Sequence, residues 1–179
     1  MVNFASLAAT IVAVLMVAAG VTGTFSAQYK QKDNGNSHLY LYQSCNAQSG
    51  DCETYDKPAS DDCTRKVYDR FTAALALGIV GSVLGVAVVI VSLVGICKQV
   101  PGLVGAMLDI ICAAAFITAF AIVADLYKLE FCPNILGQKT QYSKTYDYDL
   151  GFAFLIVAAG LAVICAILHC VICVVSPRG

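Results

Sequence analysis

Long apolar tracts alternate with polar segments along the chain, and this alternation predicts four membrane-spanning helices. Each tract exceeds the roughly 20 residues that a helix needs to cross a hydrocarbon core about 30 Å thick. None of them has a charged stripe, which a helix on the surface of a soluble protein shows. The tracts are Phe4–Ala27, Phe71–Cys97, Gly102–Ala124 and Leu150–Val175, and we predict spans at about 4–27, 71–97, 102–126 and 150–175.

The polar segments between these tracts predict a cap on one face of the membrane. An even number of spans returns the chain to the side where it started, so the loops at about 28–70 and 127–149 share a face. The connection between spans two and three is a tight turn, Lys98–Gly102, marked by Pro and Gly. We therefore expect one domain over residues 1–179, an all-α four-helix membrane bundle with a small cap.

The first apolar tract has a second interpretation, a cleaved signal peptide. Ala18-Ala19-Gly20 would pass as a cleavage site, but Met1–Phe4 lacks the positive charge that usually precedes the apolar part of a signal. We therefore expect the tract to be retained as the first span.

Composition supports a membrane protein and excludes a nucleic-acid-binding one. Hydrophobic residues make up 59% of the chain and charged residues 13%. The charged share is about half of that in ordinary soluble domains. A formal net charge of −1 provides no basic field for nucleic acid. The partner that the composition implies is the lipid bilayer.

Charge and cysteine content give opposite answers about the side on which the cap lies. The two loops hold nine of the eleven Lys and Arg residues, which favours a cytoplasmic cap. They also hold an even set of cysteines, which is typical of disulfides in an oxidising compartment. These are Cys45, Cys52, Cys63 and Cys132. We give the cysteines more weight and expect an extracellular cap, cytoplasmic termini and a plasma-membrane location.

Three disulfide pairings are possible for these four cysteines. We favour Cys45–Cys52 within the first loop and Cys63–Cys132 between the loops, because Cys63 and Cys132 lie at the membrane ends of spans two and three. The other cysteines lie in or beside the spans. Cys97, Cys170 and Cys173 fall near the cytoplasmic boundary and are candidates for S-acylation.

Short motifs in the loops and at the ends of the spans resemble those of known tetraspan families. Leu41-Tyr42-Gln43-Ser44-Cys45 followed by Cys52 is similar to the Leu-Trp-x-x-Cys…Cys signature of claudin and peripheral-myelin-type proteins. Four further stretches resemble the amastins, kinetoplastid surface proteins often grouped with them: Cys63-Thr64-Arg65, Arg70-Phe71-Thr72-Ala73-Ala74, Cys132-Pro133 and Tyr148-Asp149-Leu150-Gly151-Phe152-Ala153-Phe154. The chain departs from the pattern in having Tyr42 where the motif has Trp, and in lacking Thr-Leu-Trp-Gly within Asn46–Asp51.

The resemblance implies a left-handed four-helix bundle with a short antiparallel sheet built by the loops. The local sequence is compatible with such a sheet, because Leu39-Tyr40-Leu41-Tyr42 is a β-prone run and Tyr146–Tyr148 could supply a partner. The residues that carry the family motif are Leu41, Tyr42, Arg70, Phe71, Gly151 and Phe152.

Asp109 is an ionisable residue inside a predicted span. Such groups usually face the bundle interior and have a partner. A proton or cation relay would need further polar groups along its path, and Thr10, Ser82 and Thr118 supply few. We favour a structural carboxylate. Because His169 should lie at a similar depth in span four, we predict a contact between Asp109 and His169.

His169 could also suggest a metal site with Cys165, Cys170 and Cys173. No second His or carboxylate follows at ligand spacing along the chain, however, and local spacing is what identifies most zinc sites in a sequence. We therefore expect an interfacial histidine, and neither a metal nor another cofactor.

Small and aromatic residues suggest where contacts form. Gly78, Gly81 and Gly85 in span two are spaced for close helix packing, within the bundle rather than between copies. The cap is rich in tyrosine, which suits either an interface or the cap's own core. The tyrosines considered for these two roles are Tyr40, Tyr42, Tyr55, Tyr142 and Tyr146. Tyr68, Tyr127 and Tyr148 flank spans and match an interfacial aromatic belt.

No enzyme signature is present in the sequence: Ser, His and Asp do not occur at triad spacing, and no Gly-rich phosphate loop is found. We predict a non-enzymatic surface tetraspan protein of the amastin or claudin-like type, which organises membrane or mediates contacts through its cap. Such a protein would form homo-oligomers or join a larger membrane complex. The alternative is an accessory subunit of a membrane pump, channel or transporter.

Overall fold

Four long helices dominate the structure, as the hydropathy pattern predicts. The computed structural model describes residues 4–33, 36–55, 62–97, 102–133 and 139–175, and it describes their side chains except at 62–64, 97, 130–133, 139–140 and 175. The helices that could cross a membrane are α1 (Phe4–Phe25), α2 (Asp62–Cys97), α3 (Gly102–Lys128) and α5 (Leu150–Val175). A short helix, α4 (Tyr142–Thr145), lies between α3 and α5.

The second long helix begins nine residues earlier than the apolar tract indicated, at Asp62 rather than Phe71. Its 36 residues extend about 54 Å at 1.5 Å per residue, which is longer than the hydrocarbon core. The charged residues that mark a loop by composition therefore continue the helix beyond the bilayer. The loop predicted at 28–70 is correspondingly shorter.

The long helices close into a ring in which each one packs against two neighbours. Helix α1 contacts α2 and α5, and α3 contacts the same two helices. The core of the bundle consists largely of alanines, among them Ala9, Ala13, Ala113, Ala158 and Ala162, around the fully buried ring of Phe116. Small residues allow the close helix packing that stabilises bundles in lipid.

The loops form a cap that contains two sheets. A five-stranded antiparallel sheet has the order β4-β3-β2-β1-β7, and a two-stranded sheet pairs β5 with β6. The strands are β1 (Tyr29–Gln31), β2 (Ser37–Leu39), β3 (Gln43–Asn46), β4 (Cys52–Thr54), β5 (Glu130–Pro133), β6 (Lys139–Gln141) and β7 (Tyr146–Tyr148). We call β1–β4 and the segment from β5 to β7 the cap.

The β-prone run in the first loop is only partly a strand. Strand β2 ends at Leu39, and Tyr40–Tyr42 form the bend that leads into β3. The bend is required because Leu39 pairs with Ser44 across an antiparallel hairpin. Tyr146–Tyr148 is a strand as predicted, but its partner is β1 rather than the 39–42 run.

Candidate functional site

Tyr29 lies at the centre of the cap. This residue follows α1 closely and is completely buried, and its hydroxyl donates a hydrogen bond to the backbone carbonyl of Val123 in α3. Its ring centroid lies 5.9 Å from that of Tyr127, 5.6 Å from that of Tyr142 and 6.0 Å from that of Tyr148. Burial raises the pKa of Tyr29 far above its ordinary value. Sequence reasoning missed Tyr29, although its position just after an apolar tract was a usable signal.

Most of the cap tyrosines belong to the cap's own core. Tyr55, Tyr127, Tyr142 and Tyr146 pack around Tyr29 and its buried neighbours. Burial raises the pKa of Tyr142 to about 12 and that of Tyr55 further. Of the five tyrosines considered as an interface or a core, Tyr55, Tyr142 and Tyr146 therefore belong to the core.

Three tyrosines lie nearer the surface of the cap. Tyr148 is 38% exposed and stacks on Tyr127 and Phe152, with centroid distances of 4.1 and 4.0 Å. Tyr40 and Tyr42 are half-buried in the bend after β2 and lie 5.9 Å apart. These side chains keep part of their surface available for contacts.

The residues that carry the family motif lie where the cap joins the bundle. Leu41 and Phe71 are 1% and 3% exposed, and both belong to the cap core. Tyr42 packs edge-on against Phe25 at 6.3 Å. Arg70 forms an ion pair with Asp125 of α3. These residues hold the cap on α1, α2 and α3.

Gly151 and Phe152 complete the joint at the start of α5. The Gly151 amide donates to the Ala27 carbonyl at 2.8 Å, and a Cβ at Gly151 would lie 2.6 Å from that oxygen. The close approach excludes any side chain at this position. The ring of Phe152 stacks on Tyr148 and also meets Phe120 of α3 at 6.4 Å.

A contact between the side chains of His38 and Asp149 joins the sheet to the start of α5. His38 Nδ1 lies 2.9 Å from one oxygen of Asp149, and the other oxygen accepts a hydrogen bond from the Leu150 amide at 2.8 Å. Asp149 thus caps the first turn of α5, where a carboxylate is favourable.

A disulfide-bonded hairpin forms the exposed edge of the cap. The predicted Cys45–Cys52 disulfide is confirmed, and it joins facing residues of β3 and β4 whose Cα atoms are 4.1 Å apart. Residues 46–54 are all exposed, and Gly50 adopts a positive φ of 76° in the turn. The predicted Cys63–Cys132 disulfide lies outside the described side chains, although β5, which carries Cys132, contacts α2.

A second group of residues forms a buried polar cluster at the opposite end of the bundle, and we call Ser92, Asp109, Cys165 and His169 the polar cluster. The predicted contact between Asp109 and His169 is present, with Asp109 Oδ2 at 2.6 Å from His169 Nδ1. His169 Nε2 lies 3.1 Å from Ser92 Oγ, and Cys165 Sγ lies 3.9 Å from Nδ1. All four residues are at most 3% exposed.

Helix geometry explains how the polar cluster forms. Cys165 and His169 are four residues apart and therefore lie on the same face of α5. That face meets Asp109 of α3 and Ser92 of α2. Gly105 leaves room for the imidazole, because a Cβ there would lie 2.6 Å from His169 Cδ2. Sequence reasoning missed Ser92, and its search for ligands along α5 missed the carboxylate on α3.

The order Asp109–His169–Ser92 follows the hydrogen-bond order of a Ser–His–Asp triad. Ser92 is only 2% exposed, however, so its hydroxyl is shielded from a substrate. The residues considered for a relay through the membrane do not form a continuous path. Thr10, Ser82 and Thr118 each donate to a carbonyl four residues earlier in their own helix.

The glycines of α2 pack within the bundle, as predicted. Cβ atoms at Gly78, Gly81 and Gly85 would lie 2.4, 2.9 and 2.8 Å from side chains of neighbouring helices. The neighbours are Thr24 for Gly78, Phe116 for Gly81 and Val17 for Gly85.

Two candidates for S-acylation face outward at the end of α5. Cys170 and Cys173 are free and exposed, whereas the side chain of Cys97 lies outside the described residues. Cys170 lines an apolar groove of about 690 Å³ between α3 and α5 on the outer face of the bundle.

Comparison with known proteins agrees with this architecture. No curated protein matches the chain. A family model described as "Amastin surface glycoprotein" matches residues 4–169, which include α1, α2, α3, the cap and most of α5. With four helices able to cross a membrane and a disulfide in the loop sheet, the chain belongs to the amastin family of surface glycoproteins.

Proposed function

We propose that this protein is a non-enzymatic surface tetraspan protein that mediates contacts through its cap and organises the surrounding membrane. The observation that carries the proposal is the exposed hairpin of residues 46–54, braced by Cys45–Cys52 and mounted on a cap with a buried tyrosine core. A braced loop on a rigid support loses little conformational entropy on binding. Such a loop is therefore suited to recognition.

The same proposal places the cap outside the cell and the chain termini in the cytoplasm. The Cys45–Cys52 disulfide supports this orientation, because disulfides persist in oxidising compartments. A membrane-impermeant amine reagent applied to intact cells should label cap lysines such as Lys30 and Lys144, whose side chains are exposed. Labelling that requires permeabilised cells would contradict the orientation.

Lateral association is the second part of the proposal. The outer groove lined by Cys170 offers an apolar surface on which a neighbouring copy could pack in the bilayer. In membranes, a thiol-reactive bifunctional reagent should link Cys170 of adjacent copies. The Cys170→Ala variant is the matched control and should give no such product.

The decisive experiment is mild solubilisation followed by mass spectrometry of the co-purifying chains. Homo-oligomers, or a partner whose retention is lost in a Cys45→Ala/Cys52→Ala variant, would support a contact protein. One copy held in constant proportion by a large pump, channel or transporter, with or without the hairpin disulfide, would contradict it. That result would assign the chain to the accessory subunits.

A non-enzymatic role is supported by the burial of the one triad-like arrangement described above. Because Ser92 lies among packed helices, a fluorophosphonate probe should leave it unlabelled. Labelling that disappears in Ser92→Ala would overturn this part of the proposal.

A further inference from the structure

The polar cluster contains a carboxylate whose bonding is incomplete. Asp109 is 0% exposed, and its Oδ2 contacts His169, but Oδ1 has no hydrogen-bond partner among the described residues. An ionised carboxylate offers about four acceptor positions. Leaving one of its oxygens buried and unpaired is costly, and more so inside a bilayer. The arrangement therefore lacks a positively charged or hydrogen-bonding partner at Oδ1.

Three donor atoms of different chemistry converge within the polar cluster. One ligand atom each from Asp109, Cys165 and His169 lies within 4.8 Å of the other two. Thiolate, imidazole and carboxylate together form the ligand set that zinc binds in proteins. The set is also too soft for Ca²⁺ or Mg²⁺, which take oxygen ligands. We propose that Asp109, Cys165 and His169 bind one divalent transition-metal ion of the zinc class.

Charge supports a divalent ion in this place. A carboxylate and a thiolate carry two negative charges, which a divalent cation neutralises while the imidazole stays neutral. The filled site is thus uncharged overall, as burial among apolar helices requires. Binding requires that the Cys165 thiol proton, and any proton held on Nδ1 of His169 or on Asp109, leave these ligand atoms for solvent.

The distances fit the site after one small rearrangement. Ligands on a tetrahedral zinc ion lie about 3.3 to 3.6 Å apart. Cys165 Sγ and His169 Nδ1 are already 3.9 Å apart. Asp109 Oδ2 is only 2.6 Å from Nδ1, so the ion replaces this hydrogen bond and Asp109 turns to present Oδ1. The fourth position is left for water.

The surroundings of His169 match those of a metal ligand. A histidine that binds metal through one ring nitrogen usually donates from the other nitrogen to a fixed acceptor. Nε2 lies 3.1 Å from Ser92 Oγ, which is placed to accept that bond. The α3 backbone at Gly105 packs against the ring and fixes its plane.

The polar cluster lies close to the end of the bundle where α2 ends and α3 begins. Asp109 is seven residues after Gly102, the first residue of α3, which is about 10 Å along the helix. Binding there would join α3 to α5 by coordinate bonds. The site would thus act as a structural clasp at the end of the bundle opposite the cap.

Cobalt(II) is the probe for this site, because it takes the place of zinc and its bonds to thiolate absorb visible and near-ultraviolet light. The protein is purified in detergent, stripped with a chelator and titrated with Co²⁺ in a Cys170→Ser/Cys173→Ser background, which removes the two exposed thiols of α5. We expect one Co²⁺ per chain, a tetrahedral spectrum with thiolate charge-transfer bands, and displacement by Zn²⁺.

Variants separate ligands from bystanders. Cys165→Ser should abolish the charge-transfer bands and weaken binding at least tenfold, and Asp109→Asn should also weaken it. Cys112→Ser is the matched control, since Cys112 is equally buried but contacts the Gly81 carbonyl, and it should keep both spectrum and affinity. Helix content and elution volume, measured on each variant, confirm that the bundle is folded.

Two outcomes overturn the proposal. One is a stripped Cys170→Ser/Cys173→Ser protein that is folded and binds no Co²⁺. The other is a Cys165→Ser variant that keeps the wild-type spectrum. Either result reduces the polar cluster to hydrogen bonds between helices, and neither affects the contact function proposed for the cap.

Discussion

At the scale of single residues, Tyr29 is the side chain that most clearly links the cap to the bundle. Its ring is enclosed by other aromatic rings, and its hydroxyl bonds to α3 in a site without exposure to solvent. Full burial of an aromatic side chain stabilises a fold by about 1.5 to 3 kcal/mol, and aromatic pairs add about 0.5 to 1.5 kcal/mol. Tyr29 therefore couples the sheet to the bundle through both packing and hydrogen bonding.

We predict that Tyr29→Phe lowers the free energy of unfolding by about 1 kcal/mol, because it removes the hydroxyl and keeps the ring. The measurement is chemical unfolding in detergent, monitored through the near-ultraviolet circular dichroism of the cap. Tyr40→Phe is the control, since Tyr40 is half-buried at the rim, and its effect should be within about 0.5 kcal/mol. Equal losses in the two variants would contradict a special role for the buried hydroxyl.

The contact of Asp109 with His169 could be foreseen from depth, and the position of Cys165 beside His169 from helical spacing, but the contribution of Ser92 could not. Residue numbers give the depth of a side chain in an antiparallel pair of spans. They do not give helix rotation when a span is apolar on all sides, as α3 is. For that reason Ser92 of α2 becomes a neighbour of His169 only in the folded structure, whereas Cys165 lies one helical turn before His169 in α5 itself.

At the scale of elements, close packing of helices depends on glycines at specific crossings. A Cβ at Gly81 would lie 2.9 Å from two atoms of the Phe116 ring, which is fully buried and cannot swing away. A Cβ at Gly160 would meet nothing within 4 Å. The same substitution should therefore have opposite effects at the two positions.

We predict that Gly81→Ala destabilises the bundle by about 1 to 3 kcal/mol, the usual cost of overpacking. Gly160→Ala should be neutral or slightly stabilising, because alanine favours helix over glycine by about 1 kcal/mol. Thermal unfolding of both variants in the same detergent tests the comparison. A stable Gly81→Ala protein would show that α2 and α3 can separate without loss.

Elements with a strong local signal were predictable, and long-range pairings were not. The four spans follow from hydropathy, and the Cys45–Cys52 hairpin follows from two cysteines seven residues apart. The pairing of β1 with β7 joins Tyr29 to Tyr148, which are separated by about two thirds of the chain. Both strands have three residues, too few for a periodicity that would identify the partner.

At the scale of the whole molecule, the cap should respond to alkaline pH before the bundle does. Burial raises the pKa of Tyr142 from 10.0 to about 12, and the pKa values of Tyr29 and Tyr55 rise further. The unfolded state releases tyrosine protons near pH 10, so the stability due to these neutral hydroxyls is complete below pH 10 and is lost as the pH rises toward 12.

We therefore predict a loss of near-ultraviolet circular dichroism from the cap between about pH 10 and 12, while the helical signal of the spans persists. Tyrosinate absorbance recorded in parallel should show, in addition to the more exposed tyrosines, a group of tyrosines that ionises at higher pH. A single titration near pH 10 with the cap signal intact would contradict the burial of Tyr142. If Tyr142 contributes as expected, a Tyr142→Phe variant should change the pH at which the near-ultraviolet signal of the cap is lost.

The pairing of β1 with β7 also has a consequence for biosynthesis. The hairpin with its disulfide is made of nearby residues and can form once the first loop has emerged, whereas β7 is synthesised just before α5, the last span. A nascent chain with three inserted spans thus leaves Tyr29 without Tyr148 against it. This side of the Tyr29 ring therefore stays uncovered until the segment that leads into the last span has been synthesised, and an exposed apolar surface on an incomplete chain favours aggregation.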